Sequence, residues 1–287
     1  MRESHHPERA QTRLFDIESP LAIELRRIMI RLSRLLDLER PRCLMVTSAQ
    51  RGEGKSLFAS HFALVLAHHL RKRILLVDGD LRRPVQHTVY QVPRAPGLAE
   101  LLRGTAVAAH PTALANLEVM PAGSGRDQTS QILAPERIRD AVAGWRQAYD
   151  LVILDSPPVV PVSDPLQYVD AVDGVLYICM AGRTPRDVVV RGVDILRSVG
   201  ANILGVVANN LSEVLPYYYD RKYYGYEERK AARLAAGTAG YAASGQAGHA
   251  GTGAEPGAPA APASGVDAAG PAADEGSPAS GPPGPAE

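Results

Sequence analysis

Cys43-Leu-Met-Val-Thr47, followed by Ser48-Ala49-Gln50-Arg51-Gly52-Glu53-Gly54-Lys55-Ser56, decides the fold. The first five residues form an apolar run closed by threonine, the pattern of a strand buried on both faces. The next nine carry two glycines and lead into a helical stretch predicted over Lys55–Leu70. They match G-x-x-x-x-G-K-[ST] everywhere except the first position, where Ala49 stands in place of glycine. Glycines let backbone amides curl around phosphate oxygens, and the start of a helix adds positive potential. Lys55 is expected to reach the β- and γ-phosphates, and Ser56 to hold Mg²⁺ through its hydroxyl.

Outward from this loop, short apolar runs alternate with helical stretches. Strands are predicted at Cys43–Thr47, Ile74–Val77, Leu117–Met120, Leu151–Leu154, Val175–Met180 and Ile203–Val207. Helices are predicted at Lys55–Leu70, Gly97–Leu102, Pro135–Ala148, Pro165–Val172 and Pro185–Val199. Continuous apolar strands alternating with helices imply a parallel sheet covered on both faces. The expected class is α/β, a three-layer sandwich of the P-loop NTPase type with a mostly parallel sheet. Upstream, Ser19-Pro20 reads as an N-cap and a first-turn proline. Leu21, Leu25, Ile28, Leu32 and Leu35 recur at helical spacing, so a helix is expected from there to about Arg40-Pro41. Its apolar face is expected to join the core.

Two further strands end in acids. Ile74–Val77 runs into Asp78-Gly79-Asp80-Leu81-Arg82-Arg83-Pro84, and Leu151–Leu154 into Asp155-Ser156-Pro157-Pro158. Ligands of such sheets bind beyond the carboxyl ends of the strands. Mg²⁺ there takes a few carboxylates and waters. Asp155 suits the metal. The residues alone leave open which of Asp78 and Asp80 serves the metal and which accepts a proton. Arg82-Arg83 reads equally as a contact to phosphate or a partner carboxylate, or as the start of a solvated turn, while Arg137, Arg139 and Arg146 read as the exposed face of a helix.

Bulk composition narrows the classes. The chain has 287 residues with 31 basic and 31 acidic side chains, a balance that argues against a nucleic-acid partner. Cys43 and Cys179 both lie in apolar runs and read as buried thiols rather than a disulfide. No run approaches ~18 apolar residues, so no membrane span is expected. Residues 1–18 are expected to be flexible, 19–215 to form the folded domain and 229–287 an Ala/Gly/Pro-rich disordered tail. Between them, 216–228 hold Tyr217, Tyr218, Tyr219, Tyr223, Tyr224 and Tyr226, interleaved with charges, as in a solvated substrate segment.

Taken together, SAQRGEGKS at Ser48–Ser56, LLVDGDLRRP at Leu75–Pro84, LVILDSPPV at Leu151–Val159 and the tyrosine cluster resemble the bacterial tyrosine autokinases of capsule and exopolysaccharide synthesis. The resemblance covers about residues 19–226. It implies an enzyme that transfers phosphate from ATP, with Mg²⁺, to protein tyrosines and so regulates polysaccharide polymerisation or export. It implies nucleotide binding by Gly52, Glu53, Gly54, Lys55 and Ser56, with Asn209 against the adenine. It implies catalytic work by Lys55, Asp78 and Asp80, with Asp78 the first choice as base. The metal would be held by Ser56, Asp80 and Asp155, and the cluster tyrosines would be phosphoacceptors.

The implied partners are a transmembrane polysaccharide co-polymerase that activates the kinase, a ring of copies phosphorylating one another, and a phosphotyrosine phosphatase. The implied place is the cytoplasm, at the inner face of the membrane. The family's ring motif E-x-x-R-x-x-R is matched by Glu24 and Arg27, but Ile30 stands at its third place and Arg31 follows. The alternatives are a Min/Par-like positioning ATPase, disfavoured by Gln50 where that branch carries lysine, and a non-catalytic ATP-binding regulator.

Overall fold

The computed structural model describes residues 16–125 and 129–210. The chain enters through α1 (Pro20–Leu35), β1 (Arg42–Ser48) and α2 (Lys55–His69), then β2 (Ile74–Asp78), α3 (Gln86–Val89) and α4 (Leu98–Leu102). It continues through β3 (His110–Pro111), β4 (Leu117–Met120), α5 (Thr129–Ile132), α6 (Pro135–Ala148) and β5 (Leu151–Asp155). A 3₁₀ helix (Asp164–Ala171), β6 (Gly174–Met180), α7 (Arg186–Ser198) and β7 (Ile203–Asn209) close it. The seven strands are ordered β3-β4-β2-β5-β1-β6-β7, all parallel except the edge pair β3–β4.

The unbroken apolar strands conceal a two-residue alternation. On one face Cys43 and Met45 of β1, Leu75 and Val77 of β2 and Val152 and Leu154 of β5 pack with Leu98 of α4, Val142 of α6 and Leu196 of α7. On the other, Leu44, Val46, Ile74, Leu76 and Ile153 pack with Leu25 of α1 and Phe62 and Leu66 of α2. Helices on both sides leave no strand face for polar residues, which is why the sequence shows runs instead of alternation.

Three local expectations are corrected. First, α1 stops at Leu35, because Leu36 is extended (φ −123°, ψ 138°) and the Asp37 side chain accepts from the Glu39 amide at 3.0 Å, starting a turn. Its Ser19 cap does form, the hydroxyl accepting from the Ala22 amide at 3.2 Å. Second, the α1 core line is Ala22, Leu25 and Leu32, whereas Leu21 is 45% exposed. Third, Arg146 does not lie free on the face of α6. Its guanidinium donates to the Ala171 carbonyl at 3.2 Å and to Asp173 at 2.9 Å. Arg137 likewise donates to the Leu102 carbonyl. The stretch foreseen as a helix at Pro165–Val172 forms with 3₁₀ geometry, and the short elements α3, β3 and α5 were not foreseen.

Both cysteines are free thiols; Cys43 is buried as expected, whereas Cys179, near the end of β6, is only half-buried. Among the described residues no helix is long and apolar enough to cross a membrane. The tyrosine cluster, residues 1–15 and 229–287 lie outside the described residues.

Candidate active site

Strand order gathers the motifs. β1 lies beside β5, and β5 beside β2, so the glycine loop, Asp155 and Asp78-Gly-Asp80 leave three adjacent strands on the same edge. Asp155 is level with Val46 on one side and Asp78 on the other. The Gly79 amide donates to the Asp155 carbonyl at 2.7 Å, and the Ser156 amide to Val46 at 2.9 Å, stitching the strand ends together.

The loop is shaped from behind. Gly52 and Gly54 are left-handed, at φ +80° and +86°, and a Cβ on Gly54 would stand 2.1 Å from Asn209 Nδ2. Only glycine fits there, for its backbone and for the space. The Glu53 side chain points inward. It is 3% exposed and its carboxylate accepts from the Gln50 amide and the Thr184 hydroxyl. Its side chain is therefore a brace for the loop and not part of the cleft lining. Asn209, at the end of β7, donates to the Glu53 carbonyl at 3.0 Å and accepts from the Asn210 amide at 2.9 Å. Here its side chain supports the loop.

In front of the loop is a cleft of about 350 Å³. Gly52, Gly54, Lys55, Ser56, Asp80, Arg82 and Arg83 give it a polar half, and Leu57, Val85, Pro157, Pro158 and Val162 an apolar one. Lys55 Nζ lies 3.1 Å from Ser56 Oγ, 3.1 Å from Asp80 Oδ2 and 3.6 Å from Asp155 Oδ1. The ammonium thus sits among the three groups expected to hold a metal. Burial opposes its charge, but Asp155 and Asp80 outweigh this and raise its pKa. Lys55 stays a cation.

The two acids of the β2 end are not equivalent. Asp80 lines the cleft. Asp78 is fully buried: one carboxylate oxygen accepts from the Val85 and Gln86 amides at 2.9 and 2.8 Å, the other from the Asp80 amide at 3.3 Å. Burial, and then the neighbouring Asp155, push its carboxyl up to about 8. Burial also raises Asp155, against the opposing pull of Lys55, Ser56 and Gln86. Asp155 Oδ2 accepts from Gln86 Nε2 at 2.9 Å. Its Oδ1 has no hydrogen bond of normal geometry; Lys55 and the Ser56 hydroxyl are the polar groups beside it.

This under-satisfied oxygen and the Ser56 hydroxyl fit Mg²⁺, which uses few protein ligands and keeps its waters, with Asp80 standing beside them. Among the described residues no group of three or more His, Cys, Asp or Glu forms a denser metal cage.

The raised acids set a pH dependence. An acid whose folded pKa exceeds its unfolded one binds more protons when folded, so stability falls as pH rises between the two values. The ligand-free protein is expected to lose stability from about pH 4 to pH 8, its Asp78 pKa rising from 3.8 to about 8 on folding. Thermal melts across that range check this, and Asp78→Asn should flatten the slope. A slope as steep in the variant as in the wild type contradicts the assignment.

Sequence reasoning missed Gln86, Thr184 and Asp164. Gln86 is fully buried and also donates to the Ser56 carbonyl at 3.0 Å. Nothing in its neighbourhood marks it as more than a turn residue. Thr184 follows a strand end but lies far from the loop it braces in sequence. Asp164 accepts both donors of Arg82, at 2.6 and 3.1 Å, so Arg82 is a paired wall residue of the cleft and not a solvated turn.

Residues 40–243 match the family described as ParA, NUBPL iron-transfer P-loop NTPase. The tyrosine-protein kinase YwqD of Bacillus subtilis is 29% identical over 185 residues, covering 63% of this chain and 77% of YwqD. The succinoglycan biosynthesis transport protein ExoP of Rhizobium meliloti is 32% identical over 67% of this chain, which spans only 25% of ExoP. Among solved structures, the kinase domain of the Escherichia coli tyrosine kinase ETK superposes with a TM-score of 0.60 at 28% identity, covering 64% of this chain and 73% of that one.

Proposed function

Because the chain belongs to the ParA family of P-loop NTPases, and within it to the bacterial tyrosine autokinases of capsule and exopolysaccharide production, we propose that it phosphorylates Tyr217–Tyr226 of a neighbouring copy from Mg²⁺-ATP. The observation that carries this reading is the Lys55 ammonium seated between Ser56, Asp80 and Asp155 below two left-handed glycines. That is a cation store at the floor of an anion cradle. With nucleotide bound, Lys55 would turn from the carboxylates to the phosphates, and Ser56 and Asp155 would be the groups to hold Mg²⁺, leaving Asp80 free for the proton. Bound there, Mg²⁺ supplies neutralisation of charge on the phosphoryl oxygens.

Asp80, the acid facing the cleft, accepts the phenol proton as the new bond forms; an unperturbed tyrosine titrates near pH ~10 and needs this help. Asp78 keeps the loop in shape through the three amides it binds. The apolar half of the cleft, Val85 with Pro157 and Pro158, suits an aromatic ring. Asn209 is proposed for the adenine end, its side chain supporting the loop through the Glu53 carbonyl.

A transmembrane polysaccharide co-polymerase is the proposed activator. ExoP, a transport protein of which this chain spans a quarter, is the kind of longer relative that carries further parts in the same polypeptide. A ring of copies, a phosphotyrosine phosphatase and a place at the inner face of the cell membrane complete the proposal. Iron transfer is outside it: Cys43 and Cys179 lie on different strands, and burial pushes the Cys43 thiol up to about 12, away from metal-binding thiolate.

With ATP, Mg²⁺ and the activator, the full chain should become phosphotyrosine-positive on immunoblots. Replacing all six cluster tyrosines with Phe should remove that signal while ATP binding stays within about twofold, as the cluster is substrate and not pocket. Undiminished phosphotyrosine in that variant places the acceptors elsewhere.

A further inference from the structure

Arg82 stands two residues after Asp80 and lines the same cleft. Its Nε and Nη2 donate to Asp164 Oδ2 and Oδ1 at 2.6 and 3.1 Å, which occupies one edge of the planar guanidinium. The other edge, Nη1 and the second Nη2 hydrogen, meets no protein acceptor among the described residues. A guanidinium gripped on one edge is a pre-oriented fork on the other, the geometry that matches two phosphate oxygens. The Asp164 side chain is 4% exposed against 36% for Arg82, so the carboxylate is the buried anchor and the arginine the open arm.

The anchor is itself fixed. Asp164 begins the 3₁₀ helix, whose Tyr168 hydroxyl donates to the Gly79 carbonyl at 3.0 Å. That helix therefore grips the Asp78–Arg83 loop at two points. A buried carboxylate costs stability unless it is paired, and here its partner is a cleft residue.

Resting on the kinase reading above, we propose that Asp164 is a positioning residue that holds Arg82 so that its open edge binds the terminal phosphoryl group of a nucleoside triphosphate. The loop amides take the inner phosphates from the helix start, and Lys55 reaches the β- and γ-phosphates. Arg82 lines the same cleft two residues beyond Asp80, so its open edge is the further cation offered to the outermost phosphoryl oxygens. Those oxygens carry the spreading charge during transfer, and a guanidinium already fixed in place meets it without reordering. The prediction is therefore one of discrimination: Arg82 and Asp164 distinguish ATP from ADP, while the glycine loop binds both.

The test is titration of the full chain with fluorescent ATP and ADP analogues in Mg²⁺, with melting temperature recorded for each variant. Asp164→Asn and Arg82→Lys should each weaken ATP binding roughly tenfold, the scale of a lost charged hydrogen bond, with ADP affinity changed less than about twofold. The neutral pair Arg82→Gln with Asp164→Asn can still hydrogen-bond across the same gap and should recover melting temperature. Its preference for ATP should stay lost, by no more than in either single variant, because the two residues act as a unit.

Equal weakening of ATP and ADP, or recovery of the preference in the neutral pair, makes the contact a structural clasp and overturns the proposal. A wild type that binds neither nucleotide instead sinks the kinase reading on which it rests.

Discussion

Lys55→Met should cut tyrosine autophosphorylation by roughly 10²–10³-fold or more, the scale on which a single pre-placed charge stabiliser acts on a transition state. The reason is the double duty of this ammonium. It lies 3.1 Å from Asp80 and 3.6 Å from Asp155, so it holds both carboxylates in place, and it offsets the burial that disfavours the charge of Asp155. With nucleotide it neutralises phosphate. Methionine fills the space and does neither. The variant should fold, because Asp155 and Asp78, already shifted upward by burial, can take up protons instead of standing charged and unpaired. Its melting curve should match the wild type best at low pH and fall behind as pH rises. Quantitative phosphotyrosine detection beside thermal melts separates lost chemistry from lost fold. A variant with normal phosphorylation shows that the cradle is not where the reaction happens.

Asp80→Asn should remove phosphorylation by roughly 10²–10⁴-fold, the range for a missing proton acceptor, and keep the fold and most ATP affinity. Asp78→Asn should behave differently. It weakens the acceptor for the amides of Asp80, Val85 and Gln86, so it should alter melting temperature, the pH slope and nucleotide affinity together. The contrast follows from place: both acids are buried, but Asp80 lines the cleft whereas Asp78 lies behind it, bound by three backbone amides. Single-turnover rates at saturating ATP, set against dissociation constants, tell the two apart. If Asp78→Asn abolishes the chemical step with fold and ATP affinity unchanged while Asp80→Asn still turns over, the roles are reversed.

That contrast marks where the sequence stopped being legible. Both acids follow one apolar strand two residues apart, and a continuing strand would have put them on one side. β2 ends at Asp78, the chain turns at Gly79, and the alternation no longer predicts direction. The strands themselves were plain, because a sheet covered on both faces leaves apolar runs that nothing else of that length explains. The glycine loop was plain because its spacing is set by phosphate geometry.

What stayed hidden depends on distant partners. Asp164 is meaningful only beside Arg82, and Gln86 only beside Asp155 and the Ser56 carbonyl. Arg146 looked like a solvated helix residue because its acceptors, Ala171 and Asp173, arrive beyond another strand, at and just past the end of a 3₁₀ helix. Helix α1 was drawn too long because nothing apolar interrupts the pattern before Leu36; the side chain of Asp37 does, by accepting a backbone hydrogen bond.

The most direct measurement is peptide-resolved intact-mass spectrometry of the full chain after incubation with ATP and Mg²⁺ alongside membranes carrying its activator. The account predicts a ladder of single-phosphate mass steps located on the 217–226 peptide and absent from Lys55→Met. An unchanged mass with the activator present, or phosphate confined to residues outside that peptide, contradicts it.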